Sequence, residues 1–244
     1  MVELLTQSQN ISEPFYLKVA QGEVSGHASV HKFGAVPEMS NNASGTIWDV
    51  NDTDYPWASW DTAGAITVAA VNAADNNIEL TIVGLDENYK EQTQTVTVSS
   101  ATATAVTGTW KRVYRAYCTT ATNNNDILIQ KSGVTVAKII AGKSQTLMAV
   151  YTVPAGYTAY ILKGVMSCAA DADATGDMFV RYFGQSSFRV GHSFEVSGTG
   201  GEYCYDFTVP VKVPEKSDID VRAAVRTNNA RLTAAFDILL VINL

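Results

Sequence analysis

The sequence is short of charge. Only 17% of its 244 residues are Asp, Glu, Lys or Arg, against roughly 25% in ordinary soluble domains. Cations are scarcest: 17 Lys and Arg stand against 24 Asp and Glu, a formal net charge of −7. Neutralising phosphates takes clustered Lys and Arg, so a nucleic-acid partner is not expected. Long apolar runs are also missing. None approaches the roughly 20 residues that a membrane-spanning helix needs, so no membrane partner is expected. Helical periodicity is missing as well: no window of about 12 or more residues carries a capped i, i+3, i+4, i+7 apolar pattern. The start, Met1 to Asn10, lacks a basic n-region and a long apolar stretch, which argues against a signal peptide.

Cysteine is sparse. Cys118, Cys168 and Cys204 are odd in number and widely spaced, so they make no metal-ligand cluster. They read as reduced thiols acting as small apolar groups in a chain made in a reducing cytoplasm. One disulfide is the other reading.

What the chain does have is 46% hydrophobic residues, enough to offset chain entropy and exclude disorder. They are set in alternation. In Ser217 to Arg226, Ile219, Val221, Ala223 and Val225 share one face, and Asp218, Asp220 and Arg222 the other, the solvated one. In Tyr203 to Val213, Tyr203, Tyr205, Phe207, Val209, Val211 and Val213 share a face. Pro210 within that run points to an edge strand or a bulge. Leu232, Ala234, Phe236, Ile238, Leu240 and Ile242 line one face of the last strand. Further strands are expected near 134–140, 145–153, 157–168, 177–183 and 188–196. Pro154-Ala155-Gly156 and Pro214 to Ser217 read as turns. Short strands at regular spacing predict an all-β fold, an antiparallel β-sandwich of jelly-roll type.

Toward the N-terminus, strands are expected at 15–20, 28–36, 65–71, 78–84, 92–99 and 110–118. The polar stretch Thr119 to Asp126 suggests a boundary. The expected division is an N-terminal arm with first strands at 1–40, an N-terminal β domain at 41–122 and a C-terminal jelly-roll-like sandwich at 123–244. A single continuous sandwich with a long arm is the alternative.

No catalytic, cofactor-binding or metal constellation emerges. His27 and His31 would lie about 13 Å apart along a strand, so structural contacts or an interface are expected of them. Gly191-His192-Ser193 lacks the strand-to-helix turn of a nucleophile elbow. Gly198-Thr199-Gly200-Gly201 lacks the Lys and helix that cradle phosphate. Asp171, Asp173 and Gly176 echo a calcium loop, but Tyr182 stands where its bidentate Glu would be. Three sequon triplets, beginning at Asn10, Asn42 and Asn51, read as chance matches. Asp218 and Asp220 could suggest a glycosidase pair, but nothing else singles them out.

The most informative segment holds Trp48, Tyr55, Trp57 and Trp60. Core packing, a protein–protein contact and a carbohydrate-stacking platform all fit it. Lys111, Arg112 and Arg115 form a locally basic strand, expected to pair with acidic groups of a neighbour. With His27 and His31, these residues make up the candidate interface.

Several segments resemble a family of virion structural proteins of tailed phages, especially of marine and cyanobacterial hosts. They include Gly26-His27-Ala28-Ser29-Val30-His31-Lys32-Phe33-Gly34, Thr46-Ile47-Trp48-Asp49, Gly84-Leu85-Asp86-Glu87-Asn88-Tyr89 and Thr109-Trp110-Lys111-Arg112-Val113-Tyr114-Arg115-Ala116. In the second half they are Gln145 to Gly156 and Val213 to Ala223. The resemblance runs from about Phe15 to Leu244. It implies a non-enzymatic particle component, with neighbouring virion proteins such as the major capsid protein as partners. It implies a virion location, with assembly in the bacterial host cytoplasm. A capsid decoration (cement) protein, as a homo-oligomer with a trimer the first guess, is the leading expectation. A tail-associated fibre, knob or adsorption protein that recognises host glycans is the alternative, and a polysaccharide hydrolase a distant third.

Overall fold

The computed structural model describes residues 13–169, 172–198, 200–227 and 229–243. It is almost entirely antiparallel β-structure, as the alternation predicts. The strands are β1 (His27–Met39), β2 (Ser44–Thr46), β3 (Gly64–Ala70), β4 (Glu79–Asp86), β5 (Glu91–Thr97), β6 (Thr104–Cys118), β7 (Ile127–Lys131), β8 (Val134–Ile139), β9 (Val150–Thr152), β10 (Tyr157–Ala169), β11 (Ala174–Arg181), β12 (Arg189–Val196), β13 (Glu202–Val213), β14 (Asp218–Val225) and β15 (Ala230–Ile242).

They form three sheets. One runs β1-β15-β10-β13, and a second β12-β11-β14-β2 with β9 also on β14. Because β11 occupies one side of β14 along its length, β2 and β9 share the other side, end to end. Counted as two halves of one interrupted strand, they complete an eight-stranded sandwich ordered 1-8-3-6 and 2-7-4-5. That order follows from two Greek keys wrapped into a jelly roll. Its core lies between the two sheets. Leu232, Ala234, Phe236, Ile238 and Leu240 of β15 meet Ile219, Val221, Ala223 and Val225 of β14, with Ile161, Met166 and Met178 between. Full burial of each large apolar side chain contributes about 1.5–3 kcal/mol.

The third sheet, β5-β4-β6-β3-β7-β8, is inserted within the interrupted strand. The insertion leaves at Ile47 and returns at Ala149. The Ala149 N–H donates to the Ile47 carbonyl (2.9 Å), and both residues bond to Val221 of β14 (2.8 and 3.1 Å). The stem is therefore stitched to the sandwich by backbone. Gly34 of β1 passes over it: a Cβ there would lie 2.3 Å from the Ile47 carbonyl oxygen and 2.4 Å from the Ala149 nitrogen. The second core packs Ile66, Val68, Leu80, Ile82, Trp110, Ile127 and Ile129 against Trp48, Tyr55, Trp57 and Trp60.

This connectivity redraws the expected domain boundaries. The strand expected at 28–36 forms, as part of His27–Met39, but it belongs to the C-terminal sandwich: β1 pairs with β15 from His27↔Val241 to Met39↔Ala230. Conversely, β7 and β8 lie beyond the expected boundary yet belong to the inserted sheet. The polar stretch Thr119 to Asp126 is a crossing inside that sheet. Buried Asn123 donates to the Ile140 carbonyl and accepts from Ser144 N–H, and Asp75 accepts from Asn124 and Asn125 N–H.

Smaller differences have local causes. Phe15–Ala20 is a helical turn, α1, not a strand; six residues are too few to separate a period of 2 from one of 3.6. Of 145–153, only 150–152 pair as a strand. In β13 the register slips: Val211 faces Ile161, but Asp206 faces Lys163. This bulge on an edge strand contains Pro210, as expected. It also breaks the shared face, leaving Val209 80% exposed. Cys168 is buried as expected, but Cys204 is exposed, and all three thiols are free. Among the described residues, no helix is long and apolar enough to cross a membrane.

Candidate functional site

The outer face of the second sandwich sheet is covered by the insertion. There β14 presents Asp218 and Asp220, which the alternation places on the solvated face and the fold buries completely. Burying carboxylates is costly unless they are paired and hydrogen-bonded, and both are. Asp218 accepts from Arg112 Nε (3.0 Å) and Nη2 (2.9 Å), from Arg181 Nη2 (2.6 Å) and from the Thr152 hydroxyl (2.6 Å). Asp220 accepts from Trp57 Nε1 (2.8 Å), Arg222 Nε (2.7 Å) and the Thr46 hydroxyl (2.9 Å). Burial still outweighs these donors and pushes the Asp220 carboxyl above its ordinary range.

Aromatic rings interleave with the guanidinium groups. Arg112 and Arg181 lie 5.3 and 5.5 Å from the Trp57 ring centre, and Arg181 and Arg222 lie 4.7 and 4.9 Å from that of Phe188. Cation–π contacts of this kind strengthen when desolvated. Tyr55 and Trp60 close the cluster: Trp60 Nε1 donates to the Tyr55 hydroxyl (2.9 Å), which donates to the Val113 carbonyl.

Strand β6 brings Arg112 in by two register slips. Against β4, Val83 pairs with Arg115 and Gly84 with Val113; Leu85 then pairs with Arg112 and Asp86 with Trp110. Each slip leaves one β6 residue unpaired and re-aims its neighbours. Trp110, Arg112, Val113 and Tyr114 are consequently all buried, where strict alternation would have turned Val113 away from the other three.

The candidate interface residues therefore separate. Trp48, Tyr55, Trp57 and Trp60 are core residues, and their partners are intramolecular. A stacking platform needs an open ring face, which these buried rings lack. Arg112 pairs with an acid of its own chain, not with a neighbour's. Lys111 sits over the cluster. Its Nζ donates to the Asp61 carbonyl (2.8 Å) beside the Tyr89 ring, and burial, reinforced by Arg112, lowers its pKa. With Arg181, Lys216 and Phe183 it lines a cleft of about 280 Å3 that opens the cluster to solvent. Arg115 is exposed on another part of β6, over the Tyr117 ring. His27 binds the Ser25 carbonyl, and exposed His31 pairs with Asp237. The two histidines have separate partners.

Other motifs resolve similarly. Among the described residues no group of His, Cys, Asp and Glu could hold a metal ion. Asp171 and Thr199 lie outside the described residues. Gly176 is a strand residue of β11 pressed against Met166, not the turn of a calcium loop. Ser193 donates to Asp177, and His192 meets the Tyr203 hydroxyl at 3.3 Å. The neighbouring rings of Tyr205 and Phe207, centred 4.9 and 5.1 Å from His192, make a surface aromatic patch where the two sheet edges meet.

Sequence reasoning missed Arg181, Arg222 and the pairing of Asp218. One available signal was the spacing of Asp218, Asp220 and Arg222, which puts two acids and a cation on one face of a strand whose remaining residues are apolar.

No family model matches the chain, and no curated protein matches it. Among solved structures, a chain from infectious bursal disease virus Gt strain aligns over 94% of this chain and 78% of its own, with 9% identity and a TM-score of 0.22. The Gx strain gives 94% and 76% at 9% identity and a TM-score of 0.24. Particles of T=1 symmetry derived from the same virus give 89% and 70%, again at 9% identity, with a TM-score of 0.21. Likeness this low carries no functional meaning.

Proposed function

We propose that this chain is a non-enzymatic structural protein of a tailed-phage particle, a decoration protein that binds and reinforces the assembled head. The observation that carries the reading is the strand order of the sandwich. Jelly rolls recur in viral shells and in lectins, though a fold alone does not assign a function. The buried junction supports the same reading. It fixes the inserted sheet to the sandwich through paired charges and aromatic rings, as suits a rigid building block. The resemblance of the Gly26–Gly34 and Thr109–Ala116 segments to phage virion proteins is what suggests this kind of particle. Its partner would be the major capsid protein, and self-association into a trimer would multiply weak contacts through avidity. Binding only the assembled shell would stabilise that shell by mass action.

The test is reconstitution. Heads lacking the protein, mixed with purified protein, should bind it saturably and resist heat or osmotic shock better than untreated heads. Heads that bind none would overturn the proposal.

A second reading, a tail-associated protein that recognises host glycans, draws on the aromatic patch of β12 and β13. Tyr205 there is 42% exposed and offers a ring face for sugar stacking. Tyr205→Ala should then abolish particle adsorption to the host while leaving incorporation into particles intact. Unchanged adsorption would remove this reading.

A further inference from the structure

A second cleft lies away from the charge cluster, where β1 passes the inserted sheet. It holds about 240 Å3 and is lined by Lys32, Glu91, Tyr114, Arg115 and Tyr151 among others. Its polar groups are incompletely matched. Lys32 is buried, and its Nζ donates to the Tyr114 carbonyl. It forms no ion pair with any described residue. An ammonium is a multiple donor, so further N–H groups remain to be used. Tyr151, equally buried, has a hydroxyl with no hydrogen-bond partner. Such a group carries the full penalty of its desolvation. The one acid of the cleft, Glu91, is already engaged by the Tyr114 hydroxyl at 2.7 Å. Arg115 adds a second cation at the mouth, with a 3.5 Å contact to Gln145 and the Tyr117 ring beneath it.

A buried ammonium with N–H groups to spare, an unpartnered hydroxyl and a rim cation thus line one cleft, whose single acid already accepts from Tyr114. We propose that this cleft is a carboxylate-binding site, in which one carboxylate bridges the Lys32 ammonium and the Tyr151 hydroxyl and meets Arg115 at the rim. A carboxylate fits better than a bulkier anion because the cleft is narrow and Glu91 repels additional negative charge. The group would arrive either on a small organic acid or on an Asp or Glu side chain of a second copy of this chain. Lys32 gives the site a titration signature. Burial, reinforced by Arg115 and only partly opposed by Asp49, lowers its pKa to about 7. A bound carboxylate would raise it again. The inference does not depend on the particle reading.

The experiment uses the full chain with lysine side chains isotopically labelled for NMR. Succinate is titrated into wild type, Tyr151→Phe and Arg115→Ala, and sedimentation of each protein is followed in parallel. Arg115 is exposed, so its loss spares the fold, and Tyr151→Phe keeps the ring. Saturable succinate binding that raises the Lys32 pKa, and that weakens at least about tenfold in either variant, establishes the site with a small acid as its ligand. Absent succinate binding, self-association that both variants abolish supports a carboxylate delivered by a second copy. If succinate does not bind and self-association ignores both variants, or if binding ignores both, the proposal is overturned.

Discussion

Asp218 holds two guanidinium groups at once, one from each side of the junction. Arg112 belongs to the inserted sheet and Arg181 to the sandwich. Removing one partner of a buried ion pair leaves an uncompensated charge and costs about 3–5 kcal/mol. Asp218→Ala should therefore lose about that much in urea unfolding, and a loss under about 1 kcal/mol would place the stability elsewhere. Trp57→Phe keeps an aromatic side chain but removes the donor to Asp220, and should cost about 1–3 kcal/mol. Another buried acid, Asp49, gives a pH signature. Burial raises the Asp49 carboxyl from 3.8 to about 8. Across that window the folded chain keeps a proton that the unfolded chain has released, so stability falls as pH rises and this contribution is gone above about pH 8. Lys32 acts in the opposite sense. Its pKa falls from 10.5 to about 7, so across that range the unfolded chain keeps the proton and stability rises with pH. Asp49→Asn should flatten the decline below neutrality, and Lys32→Met the rise above it. Denaturation midpoints measured across the range check both slopes.

At the scale of elements, alternation revealed nearly every strand, because a half-buried strand writes its two faces into successive residues. Ile219, Val221, Ala223 and Val225 of β14 are buried as their spacing predicts. What local spacing could not reveal was which strands pair across long stretches of chain. The junction was hidden for that reason. Asp218 and Asp220 look solvated until residues from the insertion are laid over them. Bulges hid one residue more: alternation sets Arg112 and Tyr114 apart from Lys111 and Arg115, as the fold does, but the two slips in β6 bury Val113 as well. The tryptophan segment stood out in the sequence, but its core role became visible only with the second sheet in place. The β1 crossing yields a prediction at this scale. Gly34 lies too close to the stem backbone for any Cβ. Gly34→Ala should cost at least about 1–3 kcal/mol, the range of overpacked cores. A thermal midpoint unchanged from wild type would show that the crossing is looser than described.

The whole molecule is a jelly roll with a sheet inserted into one interrupted strand. Its two cores share a junction of buried charge and aromatic rings, so they should unfold together. Calorimetry should show one transition for the wild type, and two for Asp218→Ala once the junction is weakened. Two transitions in the wild type would mean that the sheets are stable independently. Such a body, low in charge and fixed in shape, can pack against neighbours with little desolvation penalty. The claim that it does so on a phage head is tested most directly by a cryo-EM map of intact particles. The account predicts density for this chain in repeated copies on the outer surface of the head, against the major capsid protein. Density confined to the tail, or a particle without the chain, would contradict it.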